Sequence, residues 1–146
     1  MSDSDLVKLY SGRILALAAD IPHLGRLPAP SGTARKRSML CGSTITVDVV
    51  MRDGRVAEFA QDVKACALGQ ASASVLGRVV LGRSKAELES ARDALQAMLR
   101  DGAAVPTAPF DGYEVLTPAR EYKNRHASIL LALDATCAAI ADSETA

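Results

Sequence analysis

Three residues of this sequence combine a type and a setting suited to soft-metal or redox chemistry: Cys41, Cys66 and His126. Cys66 stands where a strand pattern gives way to a helix pattern. Free amides and the dipole at a helix N-terminus favour thiolate, the form that acts as nucleophile and metal ligand. A lone cysteine there also fits a small buried residue. Cys41, followed by Gly42, shifts the balance toward a site, because the segment between the two cysteines reads as one hairpin with both thiols at its open end. His126 shares an apolar stripe with Leu130, Leu133, Cys137 and Ile140, at offsets 0, 4, 7, 11 and 14, where a histidine is either a core residue or a ligand. Two thiolates and an imidazole suit iron–sulfur, zinc or copper, and not magnesium or calcium. No Cys-x-x-Cys pair is present, so spacing by itself leaves a metal site as one option. Cys137 lies ~16 Å along the helix from His126 at ~1.5 Å per residue and is assigned a structural role. The other histidine, His23, falls in a Pro/Gly loop and is read as a surface residue.

The elements that must position these residues follow from the pattern. Leu6 to Ala19 has helical spacing of apolar residues. Residues 20–40 hold Pro22, Pro28, Pro30, Gly25 and Gly32 and read as a loop or edge segment. From Thr44 the period becomes two: Ile45, Val47, Val49 and Met51 share one face, with Thr44, Thr46, Asp48 and Arg52 on the other. Asp53-Gly54 signals a hairpin, and the returning strand carries Ala57, Phe59 and Val63. A three-residue loop pairs Val49 with Phe59 and Ile45 with Val63, which keeps the apolar set together, whereas a two-residue loop would set Ile45 against Asp62. Cys66 to Val80 reads as a helix stopping at Gly82. Ser84 and Glu87 form a capping box for a second helix that stops at Gly102. Residues 103–112 read as a loop, and Thr117 with Pro118 as the cap and first turn of a last helix running to about Ala141. A hairpin followed by helices predicts one α+β domain over 1–146: a small antiparallel β-sheet packed against several helices.

Composition narrows the function classes. The chain has 146 residues, 49% of them hydrophobic, enough for a core that needs neither disulfide nor metal to form. Seventeen basic residues balance seventeen acidic ones, and aromatics make up 3% with no Trp. Neither phosphate neutralisation nor base stacking is served, so no nucleic-acid role is expected. The acidic start and the lack of any apolar run near ~20 residues predict neither a secretory leader nor a membrane span. Three unpaired-looking cysteines suggest a reducing compartment, and cytoplasmic placement is the expectation.

The residues around the candidate ligands resemble a known family. Cys41-Gly42-Ser43 before a strand is similar to the Cys-Gly-Asp segment of the IscU/NifU N-terminal family of iron–sulfur cluster scaffolds. Cys66-Ala67-Leu68-Gly69-Gln70-Ala71-Ser72-Ala73-Ser74 resembles that family's second cysteine motif, and His126-Ala127-Ser128-Ile129-Leu130 its His-Cys-Ser-Ile-Leu motif. Ile14 and Gly25-Arg26-Leu27 are similar to its opening helix and loop. The resemblance runs through nearly the whole chain, in order, and implies an α+β fold. Carried over residue by residue, it implies Cys41, Cys66 and His126 as ligands of iron, a nascent cluster or zinc. Ser43 occupies the family's aspartate position and is a weak donor. Ala127 replaces the third cysteine, a usual sulfur acceptor, and Ala65 the glycine before the second. Leu116-Thr117-Pro118-Ala119-Arg120 is similar to the segment the family offers an Hsp70-type chaperone, but its distance from His126 argues against carrying chaperone binding over.

The role implied is a non-enzymatic scaffold that takes sulfide from a cysteine desulfurase and iron from a donor, and passes the cluster to apo recipient proteins. The alternative is a zinc-binding or apo homologue that regulates the assembly machinery. A zinc hydrolase is a remote third reading, since Cys₂His with an open position is a catalytic zinc arrangement but no general base is evident.

Overall fold

The computed structural model describes residues 10–40 and 42–145, and Cys41 and the start of the first expected helix lie outside them. Helix α1 spans Gly12–Ala19 and is capped by the Ser11 hydroxyl, which accepts from the Ile14 amide. Strands β1 (Gly32–Arg37), β2 (Thr44–Arg52) and β3 (Arg55–Lys64) form an antiparallel sheet in the order β1-β2-β3. Helices α2 (Ala67–Gly77) and α3 (Lys85–Asp101), a 3-10 helix (Phe110–Glu121) and helix α4 (Lys123–Glu144) complete the described chain. This is the α+β arrangement expected from the sequence. The segment read as loop or edge does supply the edge strand, β1.

The hairpin resolves the register in an instructive way. Asp53 and Gly54 both have positive φ, 54° and 76°, so the turn is a tight two-residue loop. Arg52 therefore faces Arg55 and Met51 faces Val56, yet Val49 faces Phe59 and Ile45 faces Val63. The expected three-residue loop is corrected to a two-residue loop plus a bulge beside Val50 and Met51. The extra residue restores the apolar pairing that a bulge-free two-residue loop would have lost.

Ile45, Val47 and Val49 are fully buried and face the helical layer. Helix α4 lies at its centre, packed against β1, β2, α2 and α3. Gly32 is what lets β1 approach it, since a Cβ there would stand 2.1 Å from the Ala139 carbonyl oxygen. Helix α2 is buried nearly all round. Its small polar residues are satisfied by carbonyls: the Ser72 hydroxyl donates to Ile129 and that of Ser74 to Asp20. Capping by Ser84 and Glu87 and the left-handed Gly102 bound α3 as expected. Three helix boundaries differ from expectation. Helix α2 ends at Gly77, before Val80. The last helix starts at Lys123 and not at Pro118, because the Thr117 hydroxyl donates backward to the Glu114 carbonyl, 2.8 Å, instead of capping forward. It runs on to Glu144, past the expected Ala141.

Candidate functional site

Cys66 caps the start of α2, two residues after β3 ends, with an extended backbone (φ −66°, ψ 168°). Its carbonyl accepts from the Gln70 amide, so the backbone is fixed by the helix while the thiol stays partly exposed. The Cys66 Sγ stands 3.5 Å from the Ser128 hydroxyl on α4, and that hydroxyl is 3.0 Å from the Ser43 hydroxyl at the foot of β2. Both serines are buried. Gly69 makes the contact possible, because a Cβ there would meet Ser128 Oγ at 2.7 Å and Ala65 Cβ at 2.9 Å. Three elements thus converge on a thiol through two neutral hydroxyls.

Backbone bonds tie Ser38 to Ser43 and Gly42. The Ser38 amide donates to Ser43, 2.8 Å, and the Gly42 amide donates to Ser38, 2.9 Å. Gly42 has φ 68°, a conformation glycine adopts without Cβ strain. Met39 and Leu40 project into solvent at 83% and 74% exposure. The position of Cys41 itself falls outside the described residues.

His126 is placed differently from Cys66. Its Nε2 lies 3.1 Å from the Ala119 carbonyl and 2.9 Å from that of Arg120, at the end of the 3-10 helix. Carbonyls only accept, so Nε2 carries the proton and Nδ1 keeps its lone pair. Such a second hydrogen bond is how ligand histidines are commonly oriented. Residues two apart on a helix do not share a face, so His126 and Ser128 leave α4 in different directions. Among the described residues no three His, Cys, Asp or Glu side chains are grouped to hold a metal ion. Cys137 is half-buried, and burial, then the nearby Glu89 and Asp134, push its thiol up to about 11. A thiol so high resists becoming thiolate. His23 is exposed, as expected, with its ring edge-on to Phe59.

Sequence reasoning missed two buried polar residues of the sheet. Asp48 was placed on the polar face, yet it is fully buried. Its carboxylate accepts from Arg26 Nε (2.7 Å), Arg26 Nη2 (3.1 Å), the Leu27 amide (3.0 Å) and the Thr33 hydroxyl (2.7 Å). Burial alone would raise its pKa, but the hydrogen bonds from Arg26, Thr33 and Leu27 outweigh it and hold the carboxyl below its ordinary value. Gln61 on β3 donates to the Pro22 and Ala73 carbonyls, each at 3.1 Å. The Gly25-Arg26-Leu27 segment was the available signal, since a proline-flanked loop that folds over a sheet must find partners for its amides.

A small antiparallel sheet with one face covered by helices and a cysteine at the strand-to-helix junction defines a class seen in solved structures. The protein is similar to a nitrogen-fixing NifU-like protein (N-terminal) from Brucella abortus, with 45% identity, 97% of this chain and 98% of that chain covered, and a TM-score of 0.93. The chain belongs to the NifU-like N-terminal family. The fold is shared with a hypothetical protein (23% identity, TM-score 0.81, 92% and 98% covered). It is shared also with a protein assigned as an iron–sulfur cluster assembly scaffold for the SUF system from Fervidobacterium islandicum AW-1 (17% identity, TM-score 0.78, 88% and 94% covered). No family model and no curated protein matches the sequence. Among the described residues no helix is long and apolar enough to cross a membrane.

Proposed function

We propose that the protein is a non-enzymatic scaffold for iron–sulfur cluster assembly, and that iron or a nascent cluster is its cargo, held by Cys41, Cys66 and His126. The observation that carries this reading is Cys66: a partly exposed thiol rigidly mounted at a helix start, in a chain 45% identical to a NifU-like protein. Thiolates bind iron and can take up sulfur, which suits a cargo built from both. The Nδ1 lone pair of His126 is the donor its hydrogen bonding leaves free. Three protein donors leave a four-coordinate metal one place short, which favours loading and release over permanent retention. A cysteine desulfurase as sulfur source, an iron donor and apo recipient proteins are the partners this role requires. Both Ala127, in place of a cysteine, and Ser43, in place of an aspartate, argue for weaker retention than a full ligand set would give. Reduction of the cysteines requires a reducing compartment, and we place the protein in the cytoplasm.

The test is anaerobic reconstitution with iron and sulfide, followed by metal analysis and absorption. Sulfide-to-iron charge-transfer bands are expected, and their loss in Cys41→Ser, Cys66→Ser and His126→Ala. The Ala127→Cys variant should hold the cluster longer against a chelator. A colourless protein with one zinc per chain would replace the scaffold by a zinc-binding regulator, and wild-type retention equal to that of Ala127→Cys would refute the three-donor site.

A further inference from the structure

A cleft of about 350 Å³ opens between β1, α3 and α4, with His126 and Ala127 among the residues that line it. Its walls carry Lys36, Arg37 and the Arg92–Asp134 pair. The Arg92 Nε is 2.8 Å from Asp134, so these two charges cancel. Lys36 and Arg37 are exposed, and neither forms an ion pair among the described residues. The cleft therefore holds two uncompensated positive charges in a protein with a formal net charge of +0. Ser38, which lines it, is tied by its backbone to Ser43, whose hydroxyl meets Ser128 beside Cys66.

From this arrangement we propose that the cleft binds a small thiol carrying carboxylates, with Lys36 and Arg37 holding the carboxylates and the sulfur directed past Ala127. Size favours a small molecule over a protein segment, since the volume is at the low end of the ~300–1,000 Å³ of ligand pockets. Charge selects an anion. Sulfur is selected by the neighbouring donors, because a soft metal bound by thiolates with one place open prefers a further thiolate to a carboxylate or water. Ala127 has no side chain to fill that approach. The last step rests on the scaffold reading above, whereas the anion site does not.

Glutathione and its S-methyl derivative are the probes. Calorimetry on the metal-free full chain should show both binding, since the carboxylates do the holding, and about tenfold weaker binding after K36E with R37E. Raised salt should weaken it too. A second variant, Ala127→Glu, blocks the cleft from an exposed position without touching the strand. On the reconstituted protein, glutathione should slow chelator-driven loss of the visible bands more than equimolar 2-mercaptoethanol or S-methylglutathione, and this advantage should vanish in both variants. Absence of binding, or binding indifferent to both variants, overturns the proposal. So does equal protection by the neutral thiol, or an acidic peptide occupying the cleft while glutathione does not. Failure to form any cluster, with S-methylglutathione still bound, refutes the scaffold reading and leaves the anion site standing.

Discussion

Gly69→Ala tests the contact on which the site depends. The glycine lies in the first turn of α2, where the helix meets α4. An added Cβ would stand 2.7 Å from Ser128 Oγ and 2.9 Å from Ala65 Cβ, against an ordinary carbon contact of ~3.5–4.0 Å. The hydroxyl cannot retreat freely, since Ser128 is buried and bonded to Ser43. Overpacking of this kind costs about 1–3 kcal/mol, and alanine's helix propensity returns up to ~1 kcal/mol, less so near a helix end. The expected net loss is about 1–2 kcal/mol, or a thermal midpoint lower by ~3–8 °C for a chain of this length. Displacing Ser128 also moves the hydroxyl away from Cys66, so chelator-driven loss of a reconstituted cluster should speed up. Gly12→Ala is the control, because nothing lies within 4 Å of a Cβ there, and its midpoint should not fall. If Gly69→Ala melts at or above the wild-type temperature and keeps its cluster as long, the close approach of α2 to α4 does not hold and the geometry around Cys66 is wrong.

Cys137→Ser should leave metal stoichiometry unchanged and lower stability by about 1 kcal/mol, since a half-buried hydroxyl replaces an apolar thiol; metal analysis and thermal melts check both. In the Cys41→Ser, Cys66→Ser background, alkylation of Cys137 should stay slow until the pH nears its raised value of about 11. Asp48→Asn removes the charge from a carboxylate with four hydrogen bonds, at a cost of about 1–2 kcal/mol after discounting for the half-exposed Arg26. Because the folded pKa of Asp48 is lowered, its contribution is full above the unfolded value of ~3.9 and is lost as the pH falls below that. Acid melts should therefore show the gap between wild type and Asp48→Asn closing below about pH 4.

The elements that surround the site were legible because they obey local rules. The period-two run from Ile45, the Asp53-Gly54 turn, and the Ser84–Glu87 cap each state their structure within a few residues. The pairing of Val49 with Phe59 was readable as well, since burying the apolar set on one face leaves one register. What forced the bulge was the conflict between that register and a two-residue turn, and only the turn's backbone angles reveal it. Thr117-Pro118 misled because capping depends on which carbonyl or amide a hydroxyl reaches, and Thr117 reaches back to Glu114. Asp48 was illegible for a related reason. Alternation assigns it to solvent, and only the chain-distant Arg26, Leu27 and Thr33 turn that face into an interior. At the site, residue types nominated Cys66 and His126, but the hydroxyl pair of Ser43 and Ser128 is a product of packing between elements far apart in sequence.

That hydroxyl pair keeps formal charge out of the buried contact beside Cys66. Ser43 is only 2% exposed, so a carboxylate at this position would be drawn out of water beside a thiol that must itself ionise to bind metal. Burial disfavours the charged form of a carboxyl placed here. A neutral serine avoids this cost, at the loss of a hard oxygen donor. Ser43→Asp should therefore destabilise the metal-free protein by about 2–4 kcal/mol near neutral pH, with part of the loss recovered as the pH falls and the new carboxyl is protonated. Bound zinc or iron would neutralise the cluster of charges, so the metal-induced rise in thermal midpoint should be larger in Ser43→Asp than in the wild type. Retention of a cluster should gain less than in Ala127→Cys, because carboxylate is the harder ligand. Thermal melts with and without zinc at two pH values decide the matter. A variant as stable as the wild type without metal would mean that position 43 is open to water, and that the Ser43–Ser128 contact does not seal the site.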